Sequence, residues 1–318
     1  MNLEGTGQRW AIVLAGGEGE RMQSFIQGWL GQPRPKQYCS FTGRRTMLEH
    51  TWDRAAAAAG AARVVTVVNR HHQPFLQSPR MLKAPGRIIA QPRRCDTGPG
   101  VFLPLTSVLA QDPEALVAVM PSDHFIRPKE RFQDALDEAF RLAEFLPGQI
   151  ILLAAAPSNC EADYGWISPG SRLPDSRASL VRSFREKPAP EEARELRRQG
   201  GLWNTMIVVA RAAALWDMAQ ILYPRMISRF DALRPWIGTE EEPEAVDLVY
   251  RDMPAINFSS GLLERVAEWS IVLPLSGVHW SDWGRPERIQ ETLSSIGAQS
   301  ALPGLSPRTK PVAAPAAV

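Results

Sequence analysis

Short, uninterrupted apolar runs alternate along the first half of the chain with segments whose apolar residues recur every three or four positions, and this alternation constrains the fold more than anything else in the sequence. Trp10 to Leu14, Val64 to Val68, Leu116 to Met120 and Ile150 to Ala154 have the character of strands buried on both faces. Between the first two, Thr46-Met47-Leu48-Glu49 has the spacing of a capping box; it opens a helix that Gly60 closes, with Leu48, Trp52 and Ala55 on its inner face. After the third run, Phe132, Leu136, Ala139, Phe140 and Ala143 keep helical spacing until Pro147-Gly148. Repeated strand-helix units predict an α/β fold with a Rossmann-like, mostly parallel mixed sheet and helices on both faces.

The second half is less regular and reads as an elaboration of the first. Strands are expected at Leu180 to Arg185, Met206 to Val209 and Ile271 to Leu273, and helices near Glu191 to Arg198, Ala212 to Leu222 and Pro286 to Leu293. From Ala301 to Val318 the chain is rich in proline and alanine and has too little to bury to offset its ordering entropy, so residues 297–318 are expected to be a disordered tail.

Composition removes several classes. A net charge of +2, with no basic run of five or more residues, is no footprint for nucleic acid or a membrane surface, so an anionic ligand must meet local charge. The longest apolar stretch, Ala55 to Val68, is broken by Gly60 and Arg63 and is too short to span a bilayer. Trp10 to Leu14 has neither the charged lead-in nor the cleavage site of a secretory signal, and a cytoplasmic protein is expected. Cys39, Cys95 and Cys160 lie far apart and read as buried free thiols. His71-His72 have no matching acid or thiol cluster and read as surface residues. Trp216 and Trp236 would mark a homodimer surface if exposed, although packing into the core is the commoner fate.

The chemistry concentrates in Leu14-Ala15-Gly16-Gly17-Glu18-Gly19-Glu20-Arg21, at the carboxyl end of the first expected strand, where open α/β sheets bind ligands. Glycines let backbone N–H groups approach a phosphate chain or a base edge, and Arg21 can clamp phosphate oxygens. Met22 stands where a dinucleotide fingerprint needs glycine, and the Gly-Lys-Ser/Thr of a Walker A loop is absent. Pro35-Lys36-Gln37 follows, a fixed backbone able to aim a lysine back at that loop.

Leu-Ala-Gly-Gly-x-Gly-x-Arg followed by Pro-Lys-Gln resembles the sugar-1-phosphate nucleotidyltransferases, and most closely the mannose-1-phosphate guanylyltransferases. The resemblance runs on in order through Gln91-Pro92 to Thr97 and Pro99, Pro121-Ser122-Asp123-His124, Tyr164-Gly165-Trp166-Ile167, Phe184-x-Glu186-Lys187-Pro188, Leu202-Trp203-Asn204 and Trp280-Ser281-Asp282-Trp283-Gly284. It implies the fold of the nucleotide-diphospho-sugar transferases, with residues 1–296 as a stand-alone catalytic domain. A nucleoside triphosphate would bind at Leu14, Ala15, Gly16, Gly17, Gly19, Gln91 and Thr97, and a sugar 1-phosphate at Tyr164, Gly165, Glu186, Lys187 and Asn204. Arg21, Lys36 and Asp123 would be catalytic, with Asp123 and Asp282 converging on one Mg2+, a cation suited to few carboxylates plus phosphate and water. His124 is expected to pack or hydrogen-bond locally rather than bind metal.

The implied reaction is in-line attack of a sugar-1-phosphate oxygen on the α-phosphorus of the triphosphate, GTP and mannose 1-phosphate giving GDP-mannose and pyrophosphate. The alternatives are a different nucleotide and sugar pair, or a weakly active regulatory relative that binds sugar nucleotides. Departures from the family pattern bear on that choice: Glu20 replaces threonine, Met22 to Ile26 replaces a proline-rich stretch, Cys95-Asp96 replaces Arg-Asn, Thr205-Met206 replaces Ser-Gly, and Gln91 replaces a frequent glutamate. Glu20, an anion beside a phosphate loop, must point away or act through a metal.

Overall fold

A computed structural model describes residues 7–297. The expected tail lies, from residue 298 on, outside the described residues. Eleven strands are found among them: β1 (Arg9–Ala15), β2 (Val64–Asn69), β3 (Arg87–Gln91), β4 (Leu116–Pro121), β5 (Phe125–Arg127), β6 (Ile150–Ala155), β7 (Gly165–Arg172), β8 (Ser179–Glu186), β9 (Leu202–Arg211), β10 (Ser270–Pro274) and β11 (His279–Ser281). The α-helices are α1 (Gln23–Leu30), α2 (Met47–Ala59), α3 (Thr97–Gln111), α4 (Lys129–Phe145), α5 (Pro190–Arg198), α6 (Ala212–Leu222), α7 (Pro224–Leu233), α8 (Glu242–Tyr250) and α9 (Pro286–Ser295).

Nine strands form one mixed sheet in the order β3-β2-β1-β4-β9-β6-β10-β8-β7, while β5 and β11 pair separately. The four strands at the β3 end run parallel to one another, and β6 and β10 form a further parallel pair. β9 is antiparallel to both of its neighbours, β4 and β6. β1 alternates between two cores: Trp10 and Ile12 face one, and Ala11, Val13 and Ala15 the other. Side chains of α3, α6, α7 and α8 line the first core, and those of α2, α4 and α5 the second. A smaller cluster joins Met22 and Ile26 to Phe41, Phe125, Trp283 and Leu293.

The capping box at α2 is complete. Thr46 Oγ1 accepts from Glu49 N at 3.2 Å, Glu49 Oε2 accepts from Thr46 N at 2.8 Å, and Gly60 closes the helix at a φ of +82°. Met22 to Ile26, which stands in place of a proline-rich stretch, leads into α1, and Met22 and Ile26 bury with Trp283 and Phe41 from distant parts of the chain. Trp216 packs in the core under the Arg234 guanidinium, so of the two tryptophans only Trp236 is exposed. Cys39 and Cys95 are buried free thiols, whereas Cys160 is only partly covered.

From the β1–β4 pair the sheet extends through β2 and β3 on one side and through β9 on the other. Loops leaving β1 and β4 at their carboxyl ends therefore open side by side at a reversal of strand order, where such sheets form a crevice. Their joint start is fixed by Ser122 N donating to Leu14 O at 3.1 Å.

Candidate functional site

The loop after β1 is held by side chains from three elements. Gln37 Nε2 donates to Ala15 O and Gly17 O at 2.9 and 2.8 Å, and Asn69 Nδ2 donates to Gly16 O at 2.7 Å. A Cβ on Gly16 would come within 2.7 Å of Gln91 Nε2, so this glycine is required by close packing. Gly19 is required by its φ of +64°. Gln91 is buried, donates to Asn69 Oδ1 at 2.6 Å and accepts from Tyr250 at 3.3 Å, which leaves one N–H and one lone pair of its amide over. Thr97 opens α3, and its hydroxyl accepts from Phe258 N at 2.8 Å.

Arg21, Lys36, Asp123 and Asp282 meet in one cluster. Lys36, almost wholly buried, places Nζ 2.8 Å from Asp123 Oδ2 and also donates to the backbone carbonyl of Asp282. Arg21 donates to Asp282 Oδ2 at 3.1 Å. Asp282 Oδ1 accepts from Tyr164 Oη and Arg288 Nη1, each at 2.7 Å, and from Gly284 N at 2.9 Å. Burial would raise the Asp282 pKa, but Lys36 and Arg288, with the bonds from Tyr164 and Gly284, hold it far below the ordinary carboxylate range. The same contest at Asp123 ends the same way: burial pushes up, and the ammonium of Lys36 wins. Both groups are carboxylates that sense each other's charge across the lysine.

That donor set fits a hard divalent cation. Asp282 Oδ2 takes one hydrogen bond and keeps a free lone pair, and Asp123 Oδ1 has His124 Nε2 as its charged-group neighbour only at 3.8 Å. His124 accepts at Nδ1 from the indole of Trp280 at 3.2 Å, and burial lowers its pKa to about 4, so it is neutral and locally bonded. Glu20 points away and pairs with Arg94.

A second group lies next along the chain from Tyr164. β7 and β8 pair Gly165 with Glu186, and a Cβ on Gly165 would stand 2.6 Å from Glu186 Oε2 and 3.1 Å from Asn204 Cβ. Burial raises the Glu186 pKa against the lowering effect of Lys187. The Lys187 side chain is exposed, with Nζ 3.9 Å from Glu186. Asn204 donates to Ser259 at 3.3 Å and accepts from Met206 N at 3.0 Å, leaving one N–H and one lone pair to spare. Tyr164, by contrast, has its hydroxyl committed to Asp282, and burial followed by the Asp282 charge drives its pKa up.

Sequence reasoning missed Arg288, Asn69 and the role of Gln37. Gln37 sat in plain view inside Pro35-Lys36-Gln37, whereas nothing local marks Arg288 among the polar residues that begin α9. The surface reading of His71-His72 is wrong for His72, which is fully buried, and an acid does join the pair: Glu18 Oε1 lies 2.9 Å from His71 Nε2 and 3.2 Å from His72 Nε2.

A family model described as nucleotidyl transferase matches residues 10–296. The xanthan biosynthesis protein XanB of Xanthomonas campestris pv. campestris (strain B100) is 26% identical over 280 residues, covering 86% of this chain and 57% of that protein. The mannose-1-phosphate guanylyltransferase RfbM of Salmonella typhimurium is 25% identical over 278 residues, covering 86% of this chain and 56% of its own. The chain thus spans a little over half the length of these curated relatives. Among solved structures, a protein of Thermus thermophilus titled mannose-1-phosphate geranyltransferase aligns with a TM-score of 0.77 at 25% identity, covering 92% of this chain and 80% of that one.

Proposed function

The chain belongs to the nucleotidyl transferase family, and from that premise we propose that residues 1–296 form a catalytic unit that transfers a nucleotidyl group to a sugar 1-phosphate, with GTP and mannose 1-phosphate giving GDP-mannose and pyrophosphate. The observation that carries this reading is the meeting of Asp123 and Asp282 around Lys36, beside a loop whose backbone is free to face phosphate.

The reaction needs no general base. A phosphate monoester, with a second pKa near ~6, is already largely dianionic at neutral pH. One of its oxygens bonds to the α-phosphorus as the bond to the β-phosphate oxygen breaks, and pyrophosphate carries the displaced charge away. The difficulty is bringing two polyanions together in line. Arg21 and Lys36 would supply positive charge on the nucleotide side, while Lys187, exposed and 3.9 Å from Glu186, would meet the sugar phosphate. Glu186 and the spare groups of Asn204 would bond sugar hydroxyls, with Gly165 letting the ring approach the backbone. Asp123 and Asp282 would hold Mg2+, whose charge would offset that of the triphosphate oxygens.

One observation favours the weakly active regulatory alternative: the Asp282 carboxylate already accepts four hydrogen bonds. A pyrophosphate-release screen of four nucleoside triphosphates against several sugar 1-phosphates with Mg2+ separates the two. Release is expected in the parent and its loss in folded Asp123→Ala and Asp282→Ala variants. Full activity in either variant refutes the metal assignment, and a silent panel with tight sugar-nucleotide binding favours the regulatory relative.

A further inference from the structure

Glu18 lies in the loop after β1, and His71 and His72 lie in the 3-10 turn that follows β2. One ligand atom from each of Glu18, His71 and His72 lies within 4.8 Å of those of the other two. His72 is wholly buried, and its Nδ1 faces Ala15 O at 3.3 Å. Both ring nitrogens of His72 thus face oxygens that can only accept, and a neutral ring has one proton for the two; with that proton on Nδ1, toward Ala15 O, Nε2 presents a lone pair. That lone pair makes no hydrogen bond although it sits 3.2 Å from a carboxylate oxygen. Two lone-pair atoms held this close, the imidazole one buried and the carboxylate one partly exposed, call for a positive charge between them.

The geometry points to a site for a zinc-class divalent cation formed by Glu18 Oε1, His71 Nε2 and His72 Nε2, which ties the loop after β1 to the turn after β2. Separations of 2.9 and 3.2 Å between the carboxylate oxygen and the two nitrogens approach the edge of about 3.3 Å in a tetrahedron with bonds of ~2.0–2.1 Å. Two imidazoles and one carboxylate suit zinc, cobalt or nickel rather than magnesium. His72 Nδ1 on Ala15 O and Asn69 Nδ2 on Glu18 Oε1, at 2.9 Å, are the supporting bonds that orient such ligands. His71 is largely exposed, which leaves the fourth position open to water. The site is distinct from the cation proposed above on Asp123 and Asp282, although Glu18 lies between Gly17 and Gly19 of the loop proposed to face the nucleotide.

The test is titration of chelator-stripped full-length protein with Zn2+ in excess Mg2+ by calorimetry, with thermal melting alongside and Co2+ as a spectroscopic probe. One equivalent of Zn2+ is expected to bind and raise the melting temperature, and Co2+ is expected to show a d–d spectrum without a sulfur charge-transfer band. Glu18→Gln and His71→Ala, at positions that are not fully buried, should keep the metal-free melting temperature and each weaken Zn2+ binding roughly 100-fold or more. Asp123→Asn and Cys160→Ser should bind as the parent does. Absence of stoichiometric binding, parent-like binding in Glu18→Gln and His71→Ala, or loss of binding in Asp123→Asn or Cys160→Ser overturns the site.

Discussion

The guanidinium of Arg288 lies 4.4 Å from the centre of the Tyr164 ring while its terminal nitrogens reach Asp282 at 2.7 Å and Glu161 at 2.6 Å. All three partners are largely covered, and the attraction of Asp282 more than offsets the lowering of the Arg288 pKa by burial. Removing the side chain would leave Glu161 without its ion-pair partner and Asp282 relying on Arg21 and Lys36 alone. Arg288→Met is expected to cost about 3 kcal/mol in urea unfolding. Arg288→Lys should recover less than half of that, since one ammonium cannot fork between two acids. A methionine variant as stable as the parent would show that desolvation cancels these pairs. Arg288 also marks where reading residues one by one stops: Arg21, Lys36, Asp123 and Asp282 could be picked out because short motifs surround them. The partners of Arg288 come from two segments, one holding Glu161 and Tyr164 and the other Asp282, and only the folded chain brings the first of them to it.

Helix α2 shows the opposite case at the scale of an element. Four consecutive residues, Thr46 to Glu49, contain both halves of its cap, and Leu48, Trp52 and Ala55 on one face are all buried. Thr46→Ala removes the acceptor for Glu49 N, and a loss of about 1 kcal/mol in thermal or urea unfolding is expected. An unchanged midpoint would mean that packing alone starts the helix. Helix α1 was illegible for the converse reason, since Ile26 is its one buried residue and the surface it meets comes from Phe41 and Trp283. Helix α7 carries Met226, Ile227, Phe230 and Leu233 at clear helical spacing, yet it is not part of a strand-helix alternation, the pattern that guided the reading. The burial of His72 was hidden because a His-His pair carries no apolar periodicity.

Across the whole molecule, β9 connects the regular half of the sheet to the rest, lying between β4 and β6 and also pairing with β7. Both cores receive side chains from it: Val208 and Ala210 face one, Ile207 and Val209 the other. Neither half can complete its hydrogen-bonded ladder alone. Far-ultraviolet circular dichroism and tryptophan fluorescence are therefore expected to report coincident unfolding transitions over residues 7–297. Separated midpoints would show that the β3 end of the sheet persists without β9. The arrangement also matters during synthesis. As the chain leaves the ribosome amino end first, the flank of β4 that receives β9 stays unclaimed until Arg211 has emerged, and over that interval the nascent protein presents an adhesive strand border that a chaperone would have to shield.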